Sequence, residues 1–314
     1  MGGLGRKLRN RIIRTYESVE QSFVQNYYVN GWDGADSRAG TSWATALLTV
    51  EQALSLAKNG ATIYITGRVT ESITAPLSLF DITLQGVSAG APRQSTASGV
   101  QAGYSAYWLY DTDSTVANLT LREQGWKIKN ICFQPPASTA TTAAGIRLYR
   151  AESATYPDPS HVIIEDCVFA SGGNGIIDTG GTSNVQVLNC LFKNQTGYAI
   201  QGASTAIALP LNWLLKGNRF LNVTNGVSAA FSYSVIKENF FSDGGTPATT
   251  CVLSTAGGSA GANNFVINNY FQTTTANFNT PDIIGNATDV WNNISIDGAD
   301  LSATSIGREV GTPA

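Results

Sequence analysis

Apolar residues return to the same places in short blocks along this chain. VIIEDCVF at 162–169 is followed by VQVLNCLF at 185–192. The outline recurs in WKIKNICF (126–133), WLLKGNRF (213–220), SVIKENFF (234–241) and NFVINNYF (264–271). The closing residues Phe133, Phe169, Phe192, Phe220, Phe241 and Phe271 are separated by 36, 23, 28, 21 and 30 residues. The short intervals set the period and the long ones carry inserted loops. Insertions of six residues before Ile146 and seven after it account for the longest interval.

The blocks read as columns. Five residues before each Phe stand Ile128, Ile164, Val187, Leu215, Ile236 and Val266, all apolar and mostly β-branched, as an inward strand position requires. Three before stand Asn130, Asp166, Asn189, Gly217, Glu238 and Asn268. Most of these residue types tolerate a left-handed backbone, so the column predicts a bend. Two before stand Ile131, Cys167 and Cys190, then Asn218, Asn239 and Asn269. The pattern predicts a solenoid whose turns stack about 4.8 Å apart, with like residues above one another. Buried asparagines need partners, and stacked ones supply them to each other. Asn218, Asn239 and Asn269 are therefore expected to form a structural amide ladder. Cys167 and Cys190 are expected to touch as buried thiols, and Trp126 and Trp213 to point inward.

Two further elements are predicted upstream. Thr49 and Gln52 form a capping-box pattern, Leu48 precedes the cap, and Gly60 stands where a helix would end. Val50, Ala53, Leu54 and Ala57 make one apolar face. Such a helix would cover the open end of the solenoid core. Before it, Leu8, Ile12, Tyr16, Val19 and Phe23 form an amphipathic stripe beside Arg6, Lys7, Arg9, Arg11 and Arg14. The expected organisation is an anchor over 1–30, a loop and capping helix over 31–60, a β-helix over 61–296 and a tail over 297–314.

Composition narrows the function classes. Of 314 residues, 43% are hydrophobic and only 13% charged, which suits a turn-rich β body rather than a disordered chain. A net charge of −3 gives no global nucleic-acid footprint. Four cysteines without a CxxC pair argue against a zinc or redox motif. No run of 18 apolar residues occurs and the first residues lack an apolar core, so neither a transmembrane helix nor a signal peptide is expected. The N-x-S/T triplets at Asn118, Asn194, Asn222, Asn286 and Asn293 are the chance product of a chain rich in Asn and Thr.

The I-x-[ND]-x-x-F turns, the asparagine column and the stretch DGADSRAGTSWATALLTVEQALSLAKNGATIYITG (33–67) resemble the right-handed parallel β-helix proteins of the pectin-lyase-like superfamily. The resemblance covers about residues 33–296 and implies an all-β, right-handed parallel β-helix with an N-terminal capping helix and a preceding amphipathic anchor helix. Enzymes of that superfamily cut acidic glycans with outer-face carboxylates, basic residues or calcium. The polygalacturonase pattern and the calcium-site aspartates and R-x-P of pectate lyases are missing here. At the level of architecture the chain also resembles bacteriophage spikes. That resemblance implies a virion structural protein at the particle surface. Such a protein would be a homotrimer, joined to other virion proteins through residues 1–30 and binding a host-surface polysaccharide. A polysaccharide lyase or glycoside hydrolase is the alternative.

Candidate chemistry gathers in GIRLYRAESATYPDPSH (145–161). Arg147, Arg150 and Tyr156 suit an anionic sugar. Glu152 and Asp158, with His161, the only histidine, are the candidates for catalysis, because glycoside hydrolysis needs paired carboxylates. A solvated loop stiffened by Pro157 and Pro159 stands as the third reading. Tyr104, Tyr107, Trp108 and Tyr110 are either an exposed aromatic patch or strand core. Asp111 with Asp113, and Asp33 with Asp36, are read as turn residues, so no metal site and no cofactor are expected.

Overall fold

The computed structural model describes residues 25–87, 106–109, 115–140, 142–150, 159–202, 210–228, 231–242, 250–253, 264–272, 283–284 and 288–295. Short parallel strands stack turn upon turn on three faces. The first two faces are joined through the long strand Thr62–Val69 and together hold 18 strands; the third holds 8. On the first face Ile128, Ile164, Val187, Leu215, Ile236 and Val266 pair in one continuous register. All six are buried.

The second face lays its aromatic rings one upon another. Trp108, Phe133, Phe169, Phe192, Phe220, Phe241 and Phe271 form an unbroken stack with centroid spacings from 4.4 to 5.5 Å. Strand spacing dictates this offset stacking, because in-register rings have nowhere else to go. Trp108 heads the stack and is fully buried, which decides against an exposed aromatic patch there. Tyr107 bonds to Gln134, while Tyr104 and Tyr110 lie outside the described residues. Trp126 and Trp213 point inward and donate Nε1–H to Leu79 O and Thr182 O.

Three left-handed columns turn the chain at its corners. Asn130, Asp166, Asn189, Gly217, Glu238, Asn268 and Asn292 have φ between 50° and 68° and separate the first face from the second. Ser171, Asn194 and Asn222 make a second column, and Gly125, His161, Asn184, Asn212 and Tyr233 a third. Glycine and asparagine suit these bends; Glu238 and Tyr233 occupy them at a steric cost.

Inside the first corner, the amides of Asn218, Asn239, Asn269 and Asn293 form a buried ladder. Each Nδ2 donates to the next Oδ1 at 3.0 Å, and the same Oδ1 also accepts the preceding backbone N–H. At the ladder's upstream end Asn218 Oδ1 accepts from Cys190 N at 2.9 Å. Cys167 and Cys190 continue the column as buried free thiols, and burial pushes the Cys190 thiol well up.

The N-terminal end differs from the expected boundaries. The solenoid begins at Asn26, not near residue 61, because Asn26–Asn30 pairs in register with Thr62–Thr66 and buries Val29. Residues 26–30 are therefore part of the body and not of an anchor; residues 1–24 lie outside the described residues. Helix α1 (Val50–Leu56) buries Val50, Ala53 and Leu54. Thr49 Oγ1 accepts from Gln52 N at 3.1 Å. The other orphan N–H groups are satisfied from outside the helix. Glu71 takes Val50 N and Glu51 N, and Asp36 takes Leu48 N and Thr49 N, all at 2.8–2.9 Å. The helix ends earlier than Gly60, with Ala57 as its cap; Gly60 (φ 81°) belongs to the turn before Thr62.

Candidate functional site

Strand Ile146–Leu148 of the third face fixes the candidate site. Ile146 and Leu148 point into the core, so alternation sends Arg147 outward. Thr120 and Ile177 flank it on the neighbouring turns. The floor around it is apolar, since Ile177 packs with Ala117 and Ala144. The Arg147 guanidinium lies over the Tyr149 ring, 4.4 Å from its centroid. This is a cation–π contact that also fixes the plane of the fork. Burial pulls the Arg147 pKa below its ordinary value, and Tyr149 offsets this in part. The group remains charged at neutral pH.

Two polar atoms here are unfinished. Arg147 Nε is buried without a hydrogen-bond partner, and so is Gln201 Oε1. Gln201 pairs with Ile177, which pairs with Arg147, so the donor and the acceptor stand two turns apart on one face, about 10 Å. Each would gain from a ligand group that completes it. The sequence reading found Arg147 but missed Gln201; the signal was its place in register with Ile177.

Beyond Tyr149 the chain turns the corner at Arg150. Gly180, on the next turn, lies directly against the Arg150 Cβ, and any side chain at 180 would displace it. Asp178 is buried beside this corner, and its carboxylate is committed. Oδ1 accepts from Gly180 N and Gly181 N, and Oδ2 from Thr182 N, at 2.9–3.0 Å. His161 sits in the third left-handed column with φ 57°, and Asn184 Nδ2 lies 3.3 Å from its Nε2. The structure thus gives His161 a bend. Glu152, Tyr156 and Asp158 lie outside the described residues, as do Asp111 and Asp113. Among the described residues no group of three or more His, Cys, Asp or Glu gathers as a metal site. Exposed aromatic rings do occur elsewhere among the described residues, Trp32, Trp43 and Tyr233 among them.

Comparison with known proteins agrees with the fold. The sequence profile described as "right handed beta helix region" matches residues 118–295. The chain belongs to the right-handed β-helix family. Among solved structures, this β-helix is similar to the pectate lyase Pel9A, with a TM-score of 0.57 and 13% identity over 90% of this chain and 72% of that one. It is also similar to the pectate lyase Bsp165PelA from Bacillus sp. N165, solved with trigalacturonate (TM-score 0.53, 14% identity, 92% and 87% covered). An alginate lyase from Paenibacillus sp. str. FPU-7 aligns with a TM-score of 0.51 at 14% identity, over 90% and 96% of the two chains. These likenesses are likenesses of fold. No curated protein sequence matches this β-helix.

Proposed function

We propose that this protein binds an acidic polysaccharide on the outer third face of its β-helix, and that it does so as a structural protein displayed on a virus particle. The observation that carries the binding reading is Arg147. It is a half-buried guanidinium, oriented by Tyr149, with an unpartnered Nε above an apolar floor. A uronate carboxylate offers the planar, two-oxygen partner that such a fork accepts. Gln201 Oε1, two turns along, is an acceptor for a sugar hydroxyl. One protein of the same fold was solved with trigalacturonate, which supports an acidic glycan as the ligand class.

Binding without cleavage is supported by the state of Asp178, whose lone pairs already serve three backbone N–H groups. The particle setting and a trimeric state rest on the sequence, through the basic amphipathic stretch before Gln25 and the resemblance to phage spikes. The sequence also favours a second reading, a depolymerase. Glu152 and Asp158 follow Arg147 by 5 and 11 positions in the sequence, and glycoside hydrolysis needs a pair of carboxylates.

The test incubates the protein with polygalacturonate, alginate and a neutral glucan. Retention on the acidic polymers, without new reducing ends or unsaturated products, is the expected result. Equal retention on the neutral glucan would overturn the acidic-glycan reading. Turnover lost on Glu152→Gln or Asp158→Asn would establish the depolymerase. Antibodies against the β-helix should label intact virus particles, and failure to label them would remove the particle setting.

A further inference from the structure

The corner between the second and third faces opens into a cleft of about 210 Å³. Two stacked triplets line it, Asn194, Gln195 and Thr196 on one turn and Asn222, Val223 and Thr224 on the next. The backbone fixes their register, because Thr224 N donates to Gln195 O and Asn225 N to Gly197 O. Asn194 and Asn222 both hold a left-handed backbone, with φ 59° and 52°. Their amides meet, Asn222 Nδ2 donating to Asn194 Oδ1 at 2.9 Å. That bond uses one end of each amide. Among the described residues Asn194 Nδ2 remains a free donor and Asn222 Oδ1 a free acceptor. Thr224 is exposed, and the Thr196 hydroxyl donates only to Gly172 O, at 3.3 Å. Val223, 3% exposed, supplies an apolar wall. The buried Gln195 is anchored by its Nε2, which donates to Phe169 O and Lys193 O at 2.8 and 3.1 Å. Its Oε1 is buried without a partner.

These groups select a class of ligand. No charged side chain is among them; Lys193 ends the second-face strand before the corner and does not line the cleft. A bare anion would find donors here but no cation. A calcium ion would find amide and hydroxyl oxygens but no carboxylate. A sugar hydroxyl both donates and accepts, so it needs both kinds of group at once. The free amide N–H, the free amide oxygen and the two threonine hydroxyls offer that mixture. Val223 faces the C–H side of a ring. Size agrees, since a drug-sized ligand takes roughly 300–1,000 Å³ and this cleft is smaller. We propose that this corner is a binding subsite for one neutral sugar residue, separate from the Arg147 site. The assignment does not rest on the Arg147 reading, because it uses no charge and none of that site's side chains.

The test titrates the full-length protein with the methyl glycosides of glucose, galactose and mannose and follows the backbone amide resonances. Saturable shifts gathered at 194–197 and 222–225 are expected from at least one of them, and none there from sodium acetate at the same concentration. Thr196→Val with Thr224→Val keeps the side-chain shape and removes both hydroxyls. It should weaken that sugar about tenfold or more. Thr196→Ser with Thr224→Ser keeps the hydroxyls and should bind nearly as the unaltered chain does. Failure of all three glycosides to shift the corner would overturn the proposal. Shifts there with acetate as large as with the sugars would make it an anion site and overturn it too. Equal weakening by the Ser and Val pairs would show that the hydroxyls do not hold the sugar. Oligogalacturonate affinity of the Val pair should stay that of the unaltered chain, and its loss would contradict the separation of the two sites.

Discussion

Asn239 bonds in both directions along the solenoid axis. Its Oδ1 accepts from Asn218 N and Nδ2, and its Nδ2 donates to Leu215 O and Asn269 Oδ1. Asn239→Leu would leave the buried Asn218 N–H without a partner and take one bond each from Asn218 Nδ2, Leu215 O and Asn269 Oδ1, at about 1–3 kcal/mol for the donor that water cannot reach. Denaturant titration should show a loss of at least that size; an unchanged midpoint would contradict the ladder. The bend columns make the opposite kind of prediction. Tyr233 holds φ 53° with its side chain mostly in solvent, one turn above Asn212 and two above Asn184. Tyr233→Asn should stabilise by up to about 1 kcal/mol, since asparagine tolerates this conformation better. At this scale the sequence was informative wherever one residue type recurred. The bend at Asn130 and Asn189 was legible as Asn and Asp in one column, and the amide ladder as a run of Asn. The third bend was harder to see, because His161 and Tyr233 stand among Gly125, Asn184 and Asn212 and break the column. His161 drew attention as a titratable group when its backbone was the point.

Most strands here are three or four residues long and are stabilised by their stacks. Phe192 lies between Phe169 and Phe220 at 4.8 and 5.1 Å. Phe192→Ala removes both contacts and opens a cavity in mid-stack, so a loss of about 3–5 kcal/mol is expected in an unfolding titration. Helix α1 offers a pH-dependent counterpart. Burial raises the Glu71 carboxyl above its ordinary value and the nearby Glu51 and Asp36 charges add to this, while hydrogen bonds from Glu51 N and Val50 N work against it. A raised folded value means the protonated form is the one folding favours. That contribution is present below the ordinary Glu range of about 4.3 and is lost as pH rises through the higher folded value. Stability relative to Glu71→Gln should therefore fall as pH climbs through that window, and a pH-independent difference would contradict the assignment. The helix itself was legible from Thr49, Gln52 and the apolar face. Its partners Asp36 and Glu71 were not, because they come from 13 and 21 positions away and carry no local pattern.

The whole molecule is a stack of equivalent turns, and that repetition made it readable. Six phenylalanines at irregular intervals specify one register once the insertions around Ile146 are located. The start of the body was misplaced because NYYVN (26–30) is too short to display a period and follows a helical stripe without a break. The candidate site was half legible. Arg147 follows from its place between two inward residues, whereas Gln201 joins it only through the pairing of the third face. The central claim is that Arg147 makes this face a receptor for acidic glycan. The most direct measurement is the calorimetric affinity of the full chain for an oligogalacturonate, beside Arg147→Gln and Arg147→Lys, at low and high salt. A loss of about tenfold or more is expected with Gln, with little rescue by Lys, whose point charge lacks the fork, and weaker binding at high salt. Equal affinity of Arg147→Gln and the unaltered protein would contradict it.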